Sequence, residues 1–223
     1  MGAITAQDAG LGVEPYDRDD DLIALCAADG RPRLRVYCPE QAQVVLGRGS
    51  RPDQELELSA CRQDGVPLLR RRGGGAAVVL DPGNLIVALV LPARGLGDNP
   101  AHFSRISAWL IEALAALDLP PVRQAGVSDL TLGERKIGGA CIWRGKDLLF
   151  YSATLLLAPR VELLARYLLH PPREPAYRRG RSHAEFVGRL GPDGDPLELA
   201  RDLQRQLDGG LGALAAAVGG AET

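Results

Sequence analysis

Apolar residues come first in short bursts along this chain and later at helical spacing. Leu34-Arg35-Val36-Tyr37 and Gln43-Val44-Val45-Leu46 are alternating or β-branched and bounded by Pro and Gly, so each predicts a short strand. Residues 66–69 and 77–80 predict strands on either side of the loop Arg70-Arg71-Arg72-Gly73-Gly74-Gly75. Residues 84–91 are almost wholly apolar, the mark of a strand buried on both faces, and Pro92 with Gly95 ends it. The period then changes. Ile106, Leu110, Leu114 and Leu117 recur at helical spacing across 103–117, until Pro120-Pro121 stops the run. Residues 129–132 and 137–143 predict strands flanking a turn that carries Lys136, and a third strand runs from after Gly145 to Leu157, an order that suits antiparallel pairing. Helices are predicted over 161–169 and 196–207, the second with Asp195 as N-cap and Pro196 at its first position.

Strands and helices therefore come in groups without βαβ alternation, and no internal repeat is present. The pattern predicts an α+β fold of mixed, mainly antiparallel sheets flanked by helices. Residues 1–20, small and polar, predict a mobile N-terminal arm; 21–208 predict one domain, and 209–223 a C-terminal tail with little to anchor it.

Composition narrows the function classes. With 46% hydrophobic and 24% charged residues, the 223-residue chain can bury one sizeable core. A net charge of -2 and a pI near 6.0 give no global attraction to nucleic acid or an anionic membrane. A polyanion has to be met by a local basic cluster such as Arg70 to Arg72. Cys26, Cys38, Cys61 and Cys141 lack Cys-x-x-Cys or zinc-finger spacing and fit reduced thiols in the cytoplasm. The N-terminus lacks a signal-peptide pattern, Ala6 breaks the myristoylation pattern, and the apolar run 85–91 is too short to span a bilayer.

Backbone amides of a glycine-rich loop can close around phosphate oxygens, and neighbouring guanidiniums can pair with them. Arg70 to Gly75 has those parts, though it closes with no Gly-Lys-Ser/Thr and opens no Gly-x-Gly-x-x-Gly helix. Glycines alone make flexible hairpins as readily. Lys136 alone would be an ordinary turn lysine, but Gly138, Gly139 and Ala140 leave room beside it for a closely approaching substrate. Asp129 is either a solvated turn residue or a magnesium ligand. His102, His170 and His183 have no partner at catalytic spacing, and Cys141 reads better as an inert strand cysteine than as a nucleophile.

At these residues the chain resembles the lipoate-protein ligase family, within the wider biotin and lipoate ligase and octanoyltransferase group, over about residues 34–190. The family's two arginines, spacer, Ser or Thr, three glycines, Ala-Val and His-Asp-x-Gly-Asn resemble the unbroken segment from Arg70 to Asn84. Its Asn-Asp-Leu and Gly-x-Lys-x-x-Gly-x-Ala elements resemble Ser128-Asp129-Leu130 and Glu134-Arg135-Lys136-Ile137-Gly138-Gly139-Ala140. Tyr177-Arg178 through Arg181-Ser182-His183 is similar to a third family segment. Departures are Gly73 for Ser or Thr, Ala76 for a glycine, Leu80 for His, Ser128 for Asn, and Ser152-Ala153-Thr154 for His-Gly-Thr.

The resemblance implies a biotin/lipoate ligase-like catalytic domain that uses ATP and Mg2+ to convert lipoate to lipoyl-AMP. The lipoyl group then passes to a lysine of a lipoyl domain or another lipoate-acceptor protein. It implies Lys136 as the catalytic residue, with Gly138 and Gly139 beside lipoate and Asp129 on the metal. Arg70, Arg71, Arg72, Gly73, Gly74, Gly75, Ala76, Ala77, Val78, Val79 and Asn84 would hold ATP and lipoyl-AMP. Many family members carry a separate C-terminal accessory domain, for which this length has no room, so an accessory protein is a further expectation. The octanoyltransferase branch uses cysteines where 117–131 and 155–191 contain none, which favours the ligase branch. Acyl transfer through Cys141, a non-catalytic lipoyl-binding module and, more weakly, biotin ligation are the alternatives.

Overall fold

The computed structural model describes residues 4–93, 98–191 and 195–219. The chain opens with α1 (Ala6–Leu11), β1 (Glu14–Pro15), α2 (Asp20–Asp29), β2 (Arg33–Tyr37), β3 (Gln43–Leu46), α3 (Pro52–Glu55) and α4 (Leu58–Asp64). β4 (Leu68–Arg70), β5 (Val78–Leu80) and β6 (Asn84–Pro92) follow, then α5 (Asn99–Ala116). β7 (Arg123–Ala125), β8 (Asp129–Leu132), β9 (Arg135–Gly145) and β10 (Leu148–Leu156) precede α6 (Val161–Tyr167), a 3-10 turn (Ala176–Arg178), α7 (His183–Phe186) and α8 (Pro196–Gly219).

Among the described residues ten strands form two sheets. The larger is antiparallel throughout, in the order β2-β6-β10-β9-β8-β7; the smaller runs β1-β4-β3-β5, with β4 parallel to both β1 and β3. This is a mixed α+β fold. β6 lies between β2 and β10, and both of its faces are apolar and buried. Leu85, Val87, Leu89 and Leu91 point into the main core with Leu149, Tyr151 and Leu155 of β10, under α5 and α8. Ala88 and Val90 face α2 on the other side, and Ile86 meets Val45 and Leu80 of the smaller sheet. Each such Leu, Ile or Val contributes ~1.5–3 kcal/mol by leaving water. The larger sheet therefore provides a rigid floor whose second face is open to a cleft under the smaller sheet.

Three expectations need correction. The arm predicted to be mobile over 1–20 is built into the fold through its described part: Thr5 and Asp8 form a capping box for α1, β1 pairs with β4, and Asp8 is wholly buried. The tail expected from residue 209 continues α8 to Gly219, with Leu214 and Val218 packed in the main core. Lys136 sits in β9, not on the preceding turn. Gly95, expected to help end β6, lies outside the described residues. Among the described residues no helix is long and apolar enough to cross a membrane.

Candidate active site

An irregularity in the sheet creates the position of Lys136. Leu130 of β8 pairs with Gly138, yet the next residue, Thr131, pairs with Lys136, so β9 carries one extra residue at Ile137. In a regular pleat residues 136 and 139 would point to opposite faces. The bulge puts Lys136 on the cleft face with Gly139 and with Asp129, the register partner of Gly139. Lys136 Nζ then reaches Asp129 Oδ1 at 2.7 Å. A Cβ at position 139 would lie 3.0 Å from that Nζ and 3.1 Å from Cε, so glycine is what lets the lysine lie across its own strand. At position 138 a Cβ would meet the Thr154 carbonyl oxygen at 2.8 Å, which fixes glycine there for packing.

Asp129 is held from a distant segment as well. The Tyr177 hydroxyl donates to Asp129 Oδ2 at 2.8 Å, and burial, reinforced by the Asp129 charge, holds that phenol well above its ordinary pKa. Both Asp129 oxygens are thus engaged. Among the described residues no group of three His, Cys, Asp or Glu side chains is placed to hold a metal ion. Asp129 is the counter-ion of Lys136 here.

Lys136 faces a cavity of about 320 Å³ between the two sheets. Of the residues expected around the nucleotide, Arg71, Gly75, Ala76, Ala77, Val78 and Val79 line it; Arg70, Arg72, Gly73, Gly74 and Asn84 do not. Asp129, Lys136, Gly138 and Gly139 complete the set that converges on it.

The arginine cluster is turned inward. Arg70, fully buried, donates to both Asp8 oxygens at 2.8 and 2.6 Å and to the Gly47 carbonyl at 2.6 Å. Arg72 pairs with Asp20 at 2.9 and 2.5 Å and lies 5.1 Å from the Trp143 ring centroid. Arg71 donates to the carbonyls of Val45, Gly74 and Ala76, closing the glycine loop on itself. The Ala77 amide donates to Glu55 Oε2 at 2.6 Å, so a carboxylate of the chain already occupies that seat. Gly73 is pressed against β9, where a Cβ would stand 2.4 Å from Cys141 Sγ. The side chain of Asn84 accepts from the Asp81 amide in the turn before β6. The basic, glycine-rich segment is in this conformation a braced wall, not an open phosphate cradle.

A further arginine reaches the cavity from a distant segment. Arg178, in the 3-10 turn, is 4% exposed and lines the cavity, stacks 4.8 Å from the Phe186 centroid, and leaves Nη2 with no hydrogen-bond partner. Burial lowers its pKa from the ordinary arginine value, with Glu174 opposing. No local pattern marks Tyr177 or Arg178 as a site residue, although both belong to the third matching segment. Cys141 also lines the cavity; burial raises its thiol pKa against the nearby Arg71 charge, the setting of a protonated thiol.

The chain is similar to several known proteins. The Mycoplasma genitalium protein named "Probable lipoate-protein ligase A" is 32% identical over 125 residues, 56% of this chain. The aligned part spans only 37% of that relative's length. A bipartite lipoate protein ligase solved with its E2 lipoyl domain from Thermoplasma acidophilum shares the fold, with a TM-score of 0.68 at 24% identity over 88% of this chain and 82% of that one. A crystal structure of lipoate-protein ligase A bound with ATP superposes with a TM-score of 0.60 at 25% identity, over 80% of this chain and 73% of that one. The family model of the lipoyl protein ligase A/B catalytic domain matches residues 14–192, which hold every strand of both sheets and the cleft between them, and the chain belongs to that family.

Proposed function

We propose that this chain is an ATP-dependent lipoate-protein ligase, which joins lipoate to AMP and passes the lipoyl group to a lysine of an acceptor protein. The observation that carries the reading is Lys136 laid across Gly139, braced by Asp129 and facing a largely apolar cavity. Two anions, a carboxylate and an α-phosphate, have to approach each other for adenylation. One ammonium between them offsets their repulsion and fixes their geometry. Asp129 holds Lys136 ready until the substrate carboxylate arrives. The unpartnered Nη2 of Arg178 offers a buried donor for a phosphate oxygen, a seat that the inward-turned Arg70 and Arg72 do not provide.

The carboxylate oxygen attacks the α-phosphorus and pyrophosphate leaves. A neutral lysine amine of the acceptor then attacks the acyl carbon, the C–N bond forms, the bond to AMP breaks, and the amine proton leaves with the solvent or AMP. A lipoyl domain is the proposed acceptor and a second polypeptide the proposed helper, by analogy with the bipartite archaeal ligase. A cytoplasmic location belongs to the same reading, in keeping with four free cysteines.

The test is incubation with ATP, magnesium and lipoate, with mass detection of acyl-AMP and of pyrophosphate. The wild-type chain forms both, and Lys136→Ala forms neither while melting like the wild type. Normal pyrophosphate release by Lys136→Ala would sink the assignment.

A further inference from the structure

Beyond Lys136 the cavity meets polar groups that adenylation does not use. Tyr16, just after β1, lines it together with Cys141 of β9 and Ser152 of β10, which are register partners. Tyr16 and Cys141 thus share the wall of this cavity. Tyr16 begins a buried chain of hydroxyls: its oxygen is 2.9 Å from the Tyr37 oxygen, and the Tyr37 hydroxyl donates to Asp19 Oδ2 at 3.1 Å. An ionised carboxylate only accepts, and a phenol has one hydrogen. Tyr37 gives its hydrogen to Asp19, so Tyr16 must give its own to Tyr37. The Tyr16 oxygen is left with lone pairs and no hydrogen for the cavity.

The distances suit the far end of a substrate. Lys136 Nζ lies over Gly139, and Cys141 stands two residues further along the same face, about 7 Å of strand rise. An extended eight-carbon acyl chain with its carboxylate at Lys136 is longer than that rise, so its distal atoms would reach the part of the cavity lined by Cys141 and Tyr16. Resting on the ligase reading above, we propose that Tyr16, oriented by Tyr37 and Asp19, selects acyl chains that carry a hydrogen-bond donor at this distal end. The open dithiol of dihydrolipoate has S–H donors there, while the closed dithiolane ring of lipoate and the methyl end of octanoate have none. Tyr37 touches no ligand in this scheme and is a positioning residue.

The polarity of the chain depends on Asp19, which burial pushes up to about 6. Tyr37 and Arg35 face it from β2, Asp20 and Asp21 from α2, Tyr16 from the β1–α2 segment, and Cys141 from β9. Below that pH a protonated Asp19 can donate to Tyr37, Tyr37 to Tyr16, and Tyr16 then turns its hydrogen to the cavity.

The experiment is calorimetric binding of dihydrolipoate (kept reduced with a phosphine), lipoate and octanoate to the full chain at pH 8 and pH 5. At pH 8 dihydrolipoate is expected to bind about fivefold tighter than octanoate, the size of one hydrogen bond. At pH 5 the ratio falls toward one. Tyr37→Phe brings the ratio to about one at pH 8 by weakening dihydrolipoate, and Tyr16→Phe does the same should Tyr37→Phe not fold. A wild-type ratio of one, or a ratio untouched in the folded variants, overturns the proposal while leaving the ligase reading intact. Loss of binding of all three acids by the wild-type chain would instead remove the ligase reading.

Discussion

Adding one methyl group at Gly139 should separate catalysis from folding. In Gly139→Ala the new Cβ would stand 3.0 Å from Lys136 Nζ, 3.1 Å from Cε and 3.4 Å from Asp129 Oδ1, all of them ends of side chains. They can retreat by several tenths of an ångström without moving backbone. Replacing a strand glycine with alanine recovers ~0.5–1 kcal/mol of chain entropy, which offsets the crowding, so stability should stay within about 1 kcal/mol of wild type. The ammonium does not recover its place. A misplacement approaching 1 Å costs up to ~100-fold, so acyl-AMP formation should fall roughly 10- to 100-fold. Gly138→Ala is the control, because its Cβ would meet the Thr154 backbone oxygen at 2.8 Å and the sheet itself must open. That overpacking costs ~1–3 kcal/mol, or about 2–4 °C of Tm per kcal/mol for a chain of this size. Pyrophosphate release and thermal melting of both variants test the distinction. A Gly139→Ala enzyme with an undiminished rate, or one as unstable as Gly138→Ala, would refute the account of Lys136.

Two further outcomes follow from buried carboxylates with opposite shifts. Burial raises the Asp8 pKa, but hydrogen bonds from Arg70 and Thr5 outweigh it and the net shift is downward, so its contribution is complete above the ordinary carboxylate pKa and disappears as pH falls through the lowered value. Asp8→Ala, which strands Arg70 in the interior, should cost ~3–5 kcal/mol in urea unfolding at pH 7, with the gap to wild type closing in strong acid; equal midpoints at pH 7 would show the pair to be dispensable. Asp19 is the reverse case: burial raises it to about 6, folding favours its protonated form, and wild-type stability is lost as pH rises through that value. Asp19→Asn should therefore gain about 2–3 kcal/mol over wild type at pH 8 and nothing at pH 4; a gain at pH 4, or none at pH 8, contradicts the buried-carboxylate account.

What could be read from the sequence followed the range of the interaction that decides each element. β6, α5 and the β8–β9 pair announce themselves by local apolar periodicity, and their predicted spans need only small adjustment. α1 does not, because Asp8, its buried anchor, is polar and has its partner Arg70 far along the chain at a separation of 62 residues. The same long-range pairing explains the arginine cluster. Three adjacent cations look like a polyanion site only until Asp8 and Asp20 are folded onto two of them and three carbonyls onto the third. The Lys136–Gly139 relation was visible as composition but not as geometry, since a strand without the Ile137 bulge would put those residues on opposite faces. Tyr177 reaches Asp129 across a separation of 48 residues, which no local pattern encodes. The charges most exposed to view in the sequence therefore stiffen the wall of the cleft. The cations that line the cavity include a lysine placed by one extra residue and an arginine delivered from the turn before α7.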